Sequence, residues 1–118
     1  MLGTTFGGNH LACAAAISVL EVMEKENLPA NAASLFRYVE KKVAEIPEIT
    51  NLKGRGLMLG LEFEHEIASL RKKLLFDHQI FTGASSNKKQ LRILPPLTIK
   101  PEHFDQLFEA LKLALREK

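Results

Sequence analysis

The stretch Gly54-Arg55-Gly56-Leu57-Met58-Leu59-Gly60-Leu61-Glu62-Phe63 decides the fold that the sequence predicts. From Leu57 onward, large apolar side chains alternate with Met58, Gly60 and Glu62. A period of two is typical of a β-strand that buries one of its faces. The stretch therefore predicts a half-buried strand, and the rest of the chain can be organised around it.

Helices and two further strands flank this strand. Apolar residues recur at helical spacing in four segments, and Asn31 is a plausible N-cap of the second helix. Two short runs favour strands, and Pro95-Pro96 ends the later one because proline cannot continue a ladder. The predicted helices are 11–26, 32–45, about 67–78 and one that starts near Pro101; the further strands are 79–82 and 91–94.

This order of elements predicts an α+β fold, in which helices cover one face of a small three-stranded antiparallel sheet. We expect the third and second strands to form a hairpin. The first strand is then placed on the other side of the third, which makes the strand order 1-3-2. No linker or repeat divides the sequence, so residues 1–118 are predicted to form one domain, with residues 1–10 as a loop that leads into the first helix.

Composition excludes several classes of function. A net charge of +2 over 118 residues argues against nucleic acid or a membrane as a partner. The four histidines lack metal-ligand spacing, so no metal site is predicted. The lone Cys13 lies in an apolar run and is expected to be a buried, inert thiol. No transmembrane or signal segment is found, so a cytoplasmic protein is expected.

The glycines of Gly54–Gly60 are similar in spacing to a dinucleotide-binding fingerprint. That fingerprint follows a strand and opens a helix, whereas here a strand comes next. We therefore expect Gly54 and Gly56 to serve a bend into the strand, and Gly60 to allow another segment to approach closely.

The first candidate site is the stretch Met1-Leu2-Gly3-Thr4-Thr5-Phe6-Gly7-Gly8-Asn9. Two hydroxyls lie among three glycines, directly before an alanine-rich helix. Hydroxyl and backbone N–H donors converge on such a turn, and the positive end of the helix dipole favours an anion. Thr4 and Thr5 are therefore predicted to bind an anion of the phosphate type.

The second candidate is Arg92, in the middle of a predicted strand. Its neighbours Leu91 and Ile93 are expected to face the core, so Arg92 faces the other side. A guanidinium on a rigid strand can bind a carboxylate through two hydrogen bonds, but it can equally lie on a solvated sheet face. The two prolines that follow favour the binding site somewhat, because they hold the end of the strand in a fixed geometry.

Four motifs in order resemble the C-terminal part of class III (ω-amino acid) aminotransferases, which are pyridoxal 5′-phosphate enzymes of fold type I. The motifs are Gly3–Asn9, the Leu-Ala-Cys-Ala-Ala-Ala helix, Lys53–Gly60 and Leu91–Ile99. The resemblance covers nearly the whole chain. It departs from the family at His10, where a proline is usual and where we expect little functional effect.

The resemblance implies roles for three residues. Thr5 matches the principal ligand of the cofactor phosphate, Thr4 is its neighbour, and their loop reaches the cofactor of the other subunit of a homodimer. Arg92 matches the strand arginine that binds a substrate carboxylate. The resemblance also implies that the lysine, acidic and aromatic residues that hold and activate the cofactor lie before this chain begins. We therefore expect a C-terminal domain that is inactive alone and contains no catalytic residue.

The implied reaction transfers the terminal amino group of N-acetylornithine to 2-oxoglutarate, a step of arginine biosynthesis. Ornithine, succinylornithine and 4-aminobutyrate are alternative amino donors, because the side chains that recognise the acyl group lie mostly outside this stretch. A non-enzymatic α+β interaction domain is the alternative from another class, with the alanine-rich helix as its binding surface.

Overall fold

The structure is a computed structural model, and it describes residues 3–117. The helices are α1 (His10–Lys25), α2 (Leu28–Ala44), α3 (Ala68–His78) and α4 (Pro101–Arg116). The strands are β1 (Ile49–Arg55), β2 (Met58–Phe63), β3 (Gly83–Ala84) and β4 (Gln90–Ile93). The predicted α+β class is confirmed.

The sheet is antiparallel, with the strand order β1-β2-β4-β3. The three predicted strands correspond to β2, β3 and β4, and their predicted order is correct. The prediction of only three strands is wrong, because β1 adds a fourth at the edge next to β2. Ile49 and Leu52 are the only large apolar residues of β1, so the sequence carries no alternation there. β1 is a strand because its backbone pairs with β2.

Two glycines make the turn between β1 and β2, where the bend was predicted. Gly54 has φ +110° and Gly56 has φ +57°, values that side chains disfavour. A Cβ on Gly54 would lie 1.7 Å from the carbonyl oxygen of Met58, which is far inside contact distance. The close pairing of β1 with β2 therefore requires glycine at position 54.

The end of α3 displaces the predicted strand at residues 79–82. Gln79 adopts the left-handed conformation, with φ +57°, and the Ile80 N–H donates to the carbonyl oxygen of Leu74 at 2.8 Å. The Gln79 N–H donates to the same carbonyl oxygen, so both N–H groups close the C-terminal end of α3. Because Gln79 and Ile80 terminate the helix, β3 begins only at Gly83.

The start of α2 differs from the prediction. Pro29 lies in the first turn of α2, where proline is favourable, so the helix begins at Leu28 and not after Asn31. The Asn31 side chain does not cap the helix. It donates to the carbonyl oxygens of Leu97 at 2.8 Å and Ile99 at 3.2 Å, and so ties α2 to the segment that follows β4.

The core lies between the inner face of the sheet and α2, α3 and α4. β2 and β4 alternate buried and exposed side chains at most positions, as a sheet covered on one face requires. Each of the three helices buries one apolar stripe, and most residues of the predicted stripes are buried. The buried residues of these stripes are Leu35, Val39, Ile46, Ile67, Leu70, Leu74, Phe104, Leu107, Phe108 and Leu111.

α1 projects from this core. None of its residues is buried, and Leu11 is 83% exposed. The radius of gyration is 17.1 Å, against about 13.5 Å for a compact domain of this length. The prediction that Cys13 is buried is therefore wrong: no residue of α1 belongs to the core or packs against it, and the thiol is exposed. Within residues 3–117, no helix is both long and apolar enough to span a membrane.

Candidate functional site

The loop before α1 is a tight turn. The Gly7 N–H donates to the carbonyl oxygen of Thr4 at 3.4 Å. A Cβ on Gly7 would lie 2.3 Å from the Thr4 side-chain methyl group, so glycine at this position lets that methyl group pack against the turn. Gly8 has φ +76° and turns the chain toward the helix. Met1 and Leu2, the start of the predicted anion loop, lie outside the described residues.

Asn9 ends the loop and caps α1. Its side-chain oxygen accepts from the Ala12 N–H at 2.9 Å, while its amide donates to the carbonyl oxygen of Phe6 at 2.8 Å. Among residues 3–117, the hydroxyls of Thr4 and Thr5 have no hydrogen-bond partner, and both residues are exposed. Free hydroxyls before a capped helix N-terminus suit a phosphate group chemically.

Arg92 lies on the outer face of the sheet, as predicted. Leu91 and Ile93 are buried on the inner face, while Arg92 is exposed. Its direct cross-strand partners are Gly60 on β2 and Gly83 on β3. In the described part of the chain, the guanidinium has neither an ion pair nor a hydrogen-bond partner. It is therefore available to an external anion.

A cavity of about 280 Å³ opens beside Arg92, between the end of β4 and α4. Apart from Arg92, His103, Thr82 and Gly83, its lining is apolar. Phe81, which lines it, is 82% exposed. An apolar cavity with one cation at its edge suits a small molecule that has an aliphatic part and a carboxylate.

Arg71 anchors the segment that leads into β3. Arg71 lies on α3, and its guanidinium Nη2 donates to the carbonyl oxygen of Thr82 at 3.1 Å. Thr82 is only 7% exposed. Because β3 has two residues, this contact helps to hold Gly83 beside Arg92.

Glu62 is also on the outer face, within a polar network. Its carboxylate pairs with the Lys53 ammonium at 2.8 Å and accepts from the Asn51 and Asn87 amides, each at 3.3 Å. The hydrogen bond from Lys53 is the main reason why the pKa of Glu62 lies below its ordinary value of 4.5. Lys53 is paired with Glu62, so Arg92 is the cation of its row across the sheet that has no partner among residues 3–117.

The lowered pKa of Glu62 makes the stability of the fold depend on pH. Because its pKa is lower in the folded protein, its contribution is complete above about pH 4.5 and is lost as the pH falls through the folded pKa. Glu62→Gln is expected to flatten the dependence of the urea unfolding midpoint on pH between about pH 3 and pH 6. Glu64→Gln, at an exposed site, is the control and should leave the slope unchanged. Equal slopes in all three proteins would contradict this role for Glu62.

The two predicted anion sites are far apart within one chain. α1, about 24 Å long, separates Thr5 from the core. The cavity beside Arg92 contains neither Thr4 nor Thr5 in its lining. Residues 3–117 contain no group of three or more histidine, cysteine or acidic side chains that could hold a metal ion. The predicted phosphate-binding loop and the predicted carboxylate-binding arginine therefore lie at separate places in this chain.

Curated relatives match nearly the whole chain. An ornithine aminotransferase from Exiguobacterium sp. is 37% identical over 115 residues, which are 96% of this chain and 28% of that protein. Acetylornithine aminotransferase 1 from Bordetella bronchiseptica is 36% identical over 113 residues, which are 92% of this chain and 28% of that protein. The chain thus spans less than a third of the length of these relatives.

Solved structures give the same result. The ornithine aminotransferase from Toxoplasma gondii superposes with a TM-score of 0.82 at 28% identity, over 99% of this chain and 30% of that one. Acetylornithine aminotransferase from Elizabethkingia anophelis superposes with a TM-score of 0.80 at 26% identity, over 100% of this chain and 31% of that one. The sequence profile of the family Aminotransferase class-III matches residues 1–115. The chain therefore belongs to the class III aminotransferase family.

Proposed function

We propose that this chain contributes two anion-binding elements to a pyridoxal 5′-phosphate-dependent aminotransferase. One is the loop of Thr4 and Thr5, and the other is Arg92. The observation that carries the proposal is that both elements lie within family motifs, Gly3–Asn9 and Leu91–Ile99, and that their polar side-chain groups have no partner among residues 3–117. When bound, the cofactor would supply the electron sink that stabilises negative charge at the carbon that loses a proton.

Thr5 would be the principal phosphate ligand, with Thr4 beside it. Each hydroxyl can donate one hydrogen bond to a phosphate oxygen, and the N-terminus of α1 favours the negative charge. The loop contains no lysine or arginine, so it would bind through hydrogen bonds and the helix dipole alone. Gly7 and Gly8 would keep the turn tight around these donors.

The separation of the two elements supports a homodimer. Because α1 holds Thr5 far from the Arg92 cavity, one chain cannot bring both elements to a single small cofactor. We propose that Thr5 reaches the cofactor of the partner subunit, while Arg92 serves its own. The exposed apolar side chains of α1 support this arrangement, since they need a covering surface.

Arg92 would bind a carboxylate of the substrate through two parallel hydrogen bonds. The aliphatic carbons of the substrate could then lie against the apolar lining of the adjacent cavity. We propose N-acetylornithine as the amino donor and 2-oxoglutarate as the acceptor, which places the reaction in arginine biosynthesis. No residue of this chain is proposed to be catalytic: the lysine that holds the cofactor would lie in the remainder of the complete protein. The cytoplasmic location stays a prediction.

Ornithine is the second candidate donor. Relatives named ornithine aminotransferase and acetylornithine aminotransferase match this chain at nearly equal identity. Both donors carry an α-carboxylate that Arg92 could bind, and they differ at the acyl group. Among the described residues, no side chain can be assigned to recognition of that group.

Amino-transfer assays test this function. The complete protein that contains this chain, supplied with pyridoxal 5′-phosphate, is expected to form glutamate from 2-oxoglutarate with N-acetylornithine or ornithine. The donor with the larger kcat/KM identifies the substrate. The 118-residue chain alone is expected to form none, since it would lack the lysine. Succinylornithine and 4-aminobutyrate are tested as further donors. If the complete protein transfers an amino group from none of the four, the alternative of a non-enzymatic interaction domain is favoured.

Thr5→Ala is expected to weaken retention of the cofactor by about tenfold. The variant loses one hydrogen bond to a charged phosphate, which is typically worth about 1.5 kcal/mol. Dissociation can be followed by absorbance during dialysis of the complete protein. Thr50→Ala, the same substitution on β1, is the matched control and should retain the cofactor. If the natural protein and both variants retain the cofactor equally, the loop does not bind the cofactor phosphate through Thr5.

A further inference from the structure

Arg92 has a glycine beside it on each of the two neighbouring strands. Its two cross-strand partners, Gly60 and Gly83, have no side chains. Directly paired residues have Cβ positions about 4.5–5.5 Å apart, so the long Arg92 side chain could lean over either neighbouring strand. The direction that it takes decides where its guanidinium meets a ligand.

The space over Gly60 is already filled. The amide Nε2 of Gln90 lies 1.8 Å from the position that a Cβ on Gly60 would occupy. The Gln90 Oε1 accepts from the Ser85 hydroxyl at 3.1 Å, which holds the amide in this orientation. As a result Gly60 is buried, although it belongs to the exposed face of the sheet.

The space over Gly83 is occupied by Arg92 itself. A Cβ on Gly83 would lie 3.1 Å from the Arg92 Nε and 3.4 Å from the Arg92 Cβ. The arginine side chain therefore leans over β3. This is the side on which Phe81, Thr82 and Gly83 line the cavity described above.

We propose that Gln90 and Gly83 are positioning residues that hold Arg92 over β3, with its guanidinium at the edge of the cavity. Gln90 closes the direction over Gly60, and Gly83 leaves the direction over β3 open. An arginine loses considerable rotamer freedom when it binds, so a side chain held in advance binds a carboxylate more tightly. This role rests on the proposed function of Arg92 and extends it to its neighbours.

Two substitutions at position 90 separate filling of space from hydrogen bonding. Gln90→Ala opens the space over Gly60, and it is expected to raise the KM for 2-oxoglutarate about three- to tenfold with little change in kcat. Gln90→Met keeps a side chain of similar length there and should retain a KM close to that of the natural protein. Ser86→Ala, at an exposed neighbouring position, is the control. An unchanged KM in Gln90→Ala would overturn the proposal.

Gly83→Ala tests the other side. The new methyl group would lie 3.1 Å from the Arg92 Nε, so the arginine side chain would have to shift by a few tenths of an ångström, and the KM for 2-oxoglutarate should rise. Both residues are proposed to act through Arg92. Gln90→Ala and Gly83→Ala should therefore not raise the KM further in a protein that already carries Arg92→Ala. Full additivity with Arg92→Ala would assign them a structural role only and would refute positioning.

A measurement without turnover distinguishes this proposal from the proposed function. In the protein labelled at arginine, nuclear Overhauser contacts from the Arg92 δ protons are expected to Gly83 Hα and not to Gly60 Hα. In Gln90→Ala, a contact to Gly60 Hα should appear. Equal contacts to both glycines in the natural protein would refute the positioning, whereas absent aminotransferase activity alone would refute only the proposed reaction.

Discussion

Arg92→Ala is expected to raise the KM for 2-oxoglutarate about 100-fold in the complete protein. Two charge-assisted hydrogen bonds to one carboxylate together contribute about 3 kcal/mol, which corresponds to this factor. Arg92 has no partner within the described chain, so the substitution removes the carboxylate contact without breaking an internal ion pair. Steady-state kinetics with varied 2-oxoglutarate measure the effect.

Two further variants make the Arg92 experiment specific. Arg92→Lys keeps the positive charge but loses the planar fork, so an intermediate KM is expected. Lys53→Met removes the other cation of the same row, which is paired with Glu62, and should leave the KM nearly unchanged. If Arg92→Ala and Lys53→Met have equal kinetics, Arg92 does not bind the carboxylate.

Gly54→Ala is expected to lower the free energy of unfolding by at least about 3 kcal/mol. Its Cβ would lie 1.7 Å from the Met58 carbonyl oxygen, and its φ of +110° is one that side chains rarely adopt. Relief would require the β1–β2 pairing to open, and β2 carries the centre of the core. Urea unfolding followed by circular dichroism measures the loss.

Other glycines of the chain provide graded controls for Gly54. Gly56 also has a positive φ, but a Cβ there would meet only the Ala32 Cβ at 3.6 Å. Gly56→Ala is therefore expected to lower the free energy of unfolding by about 1 kcal/mol. Gly3→Ala enters open space and should be nearly neutral. Equal losses in Gly54→Ala and Gly3→Ala would show that the close approach to β2 is unimportant.

Strong periodicity made most of the fold predictable. β2 and the stripes of α3 and α4 repeat at the spacing of their secondary structure, so local sequence identifies both the element and its buried face. β1 could not be predicted in this way, because it is an edge strand with few apolar residues and depends on pairing with β2. The start of β3 was misplaced because the end of α3 uses Gln79 and Ile80.

Sequence motifs single out the candidate ligand residues but not their neighbours in the fold. Thr4 and Thr5 stood out through the glycines around them, and Arg92 through its position between two apolar residues. A close approach to Gly60 was predicted, but the sequence did not identify Gln90 as the residue that approaches it or Gly83 as the neighbour of Arg92. Cross-strand neighbours depend on register, which no local pattern specifies at these positions.

The sequence by itself determined the α+β class, the buried stripes and the family, because these depend on local periodicity and on motifs read along the chain. Only the tertiary structure decided that β1 completes a four-stranded sheet, that α1 projects with its apolar side chains exposed, and that Arg92 leans over β3. Each of these depends on which backbones pair and which faces find a partner. Such contacts join segments that are distant in sequence, and their free energy arises only when the chain has folded.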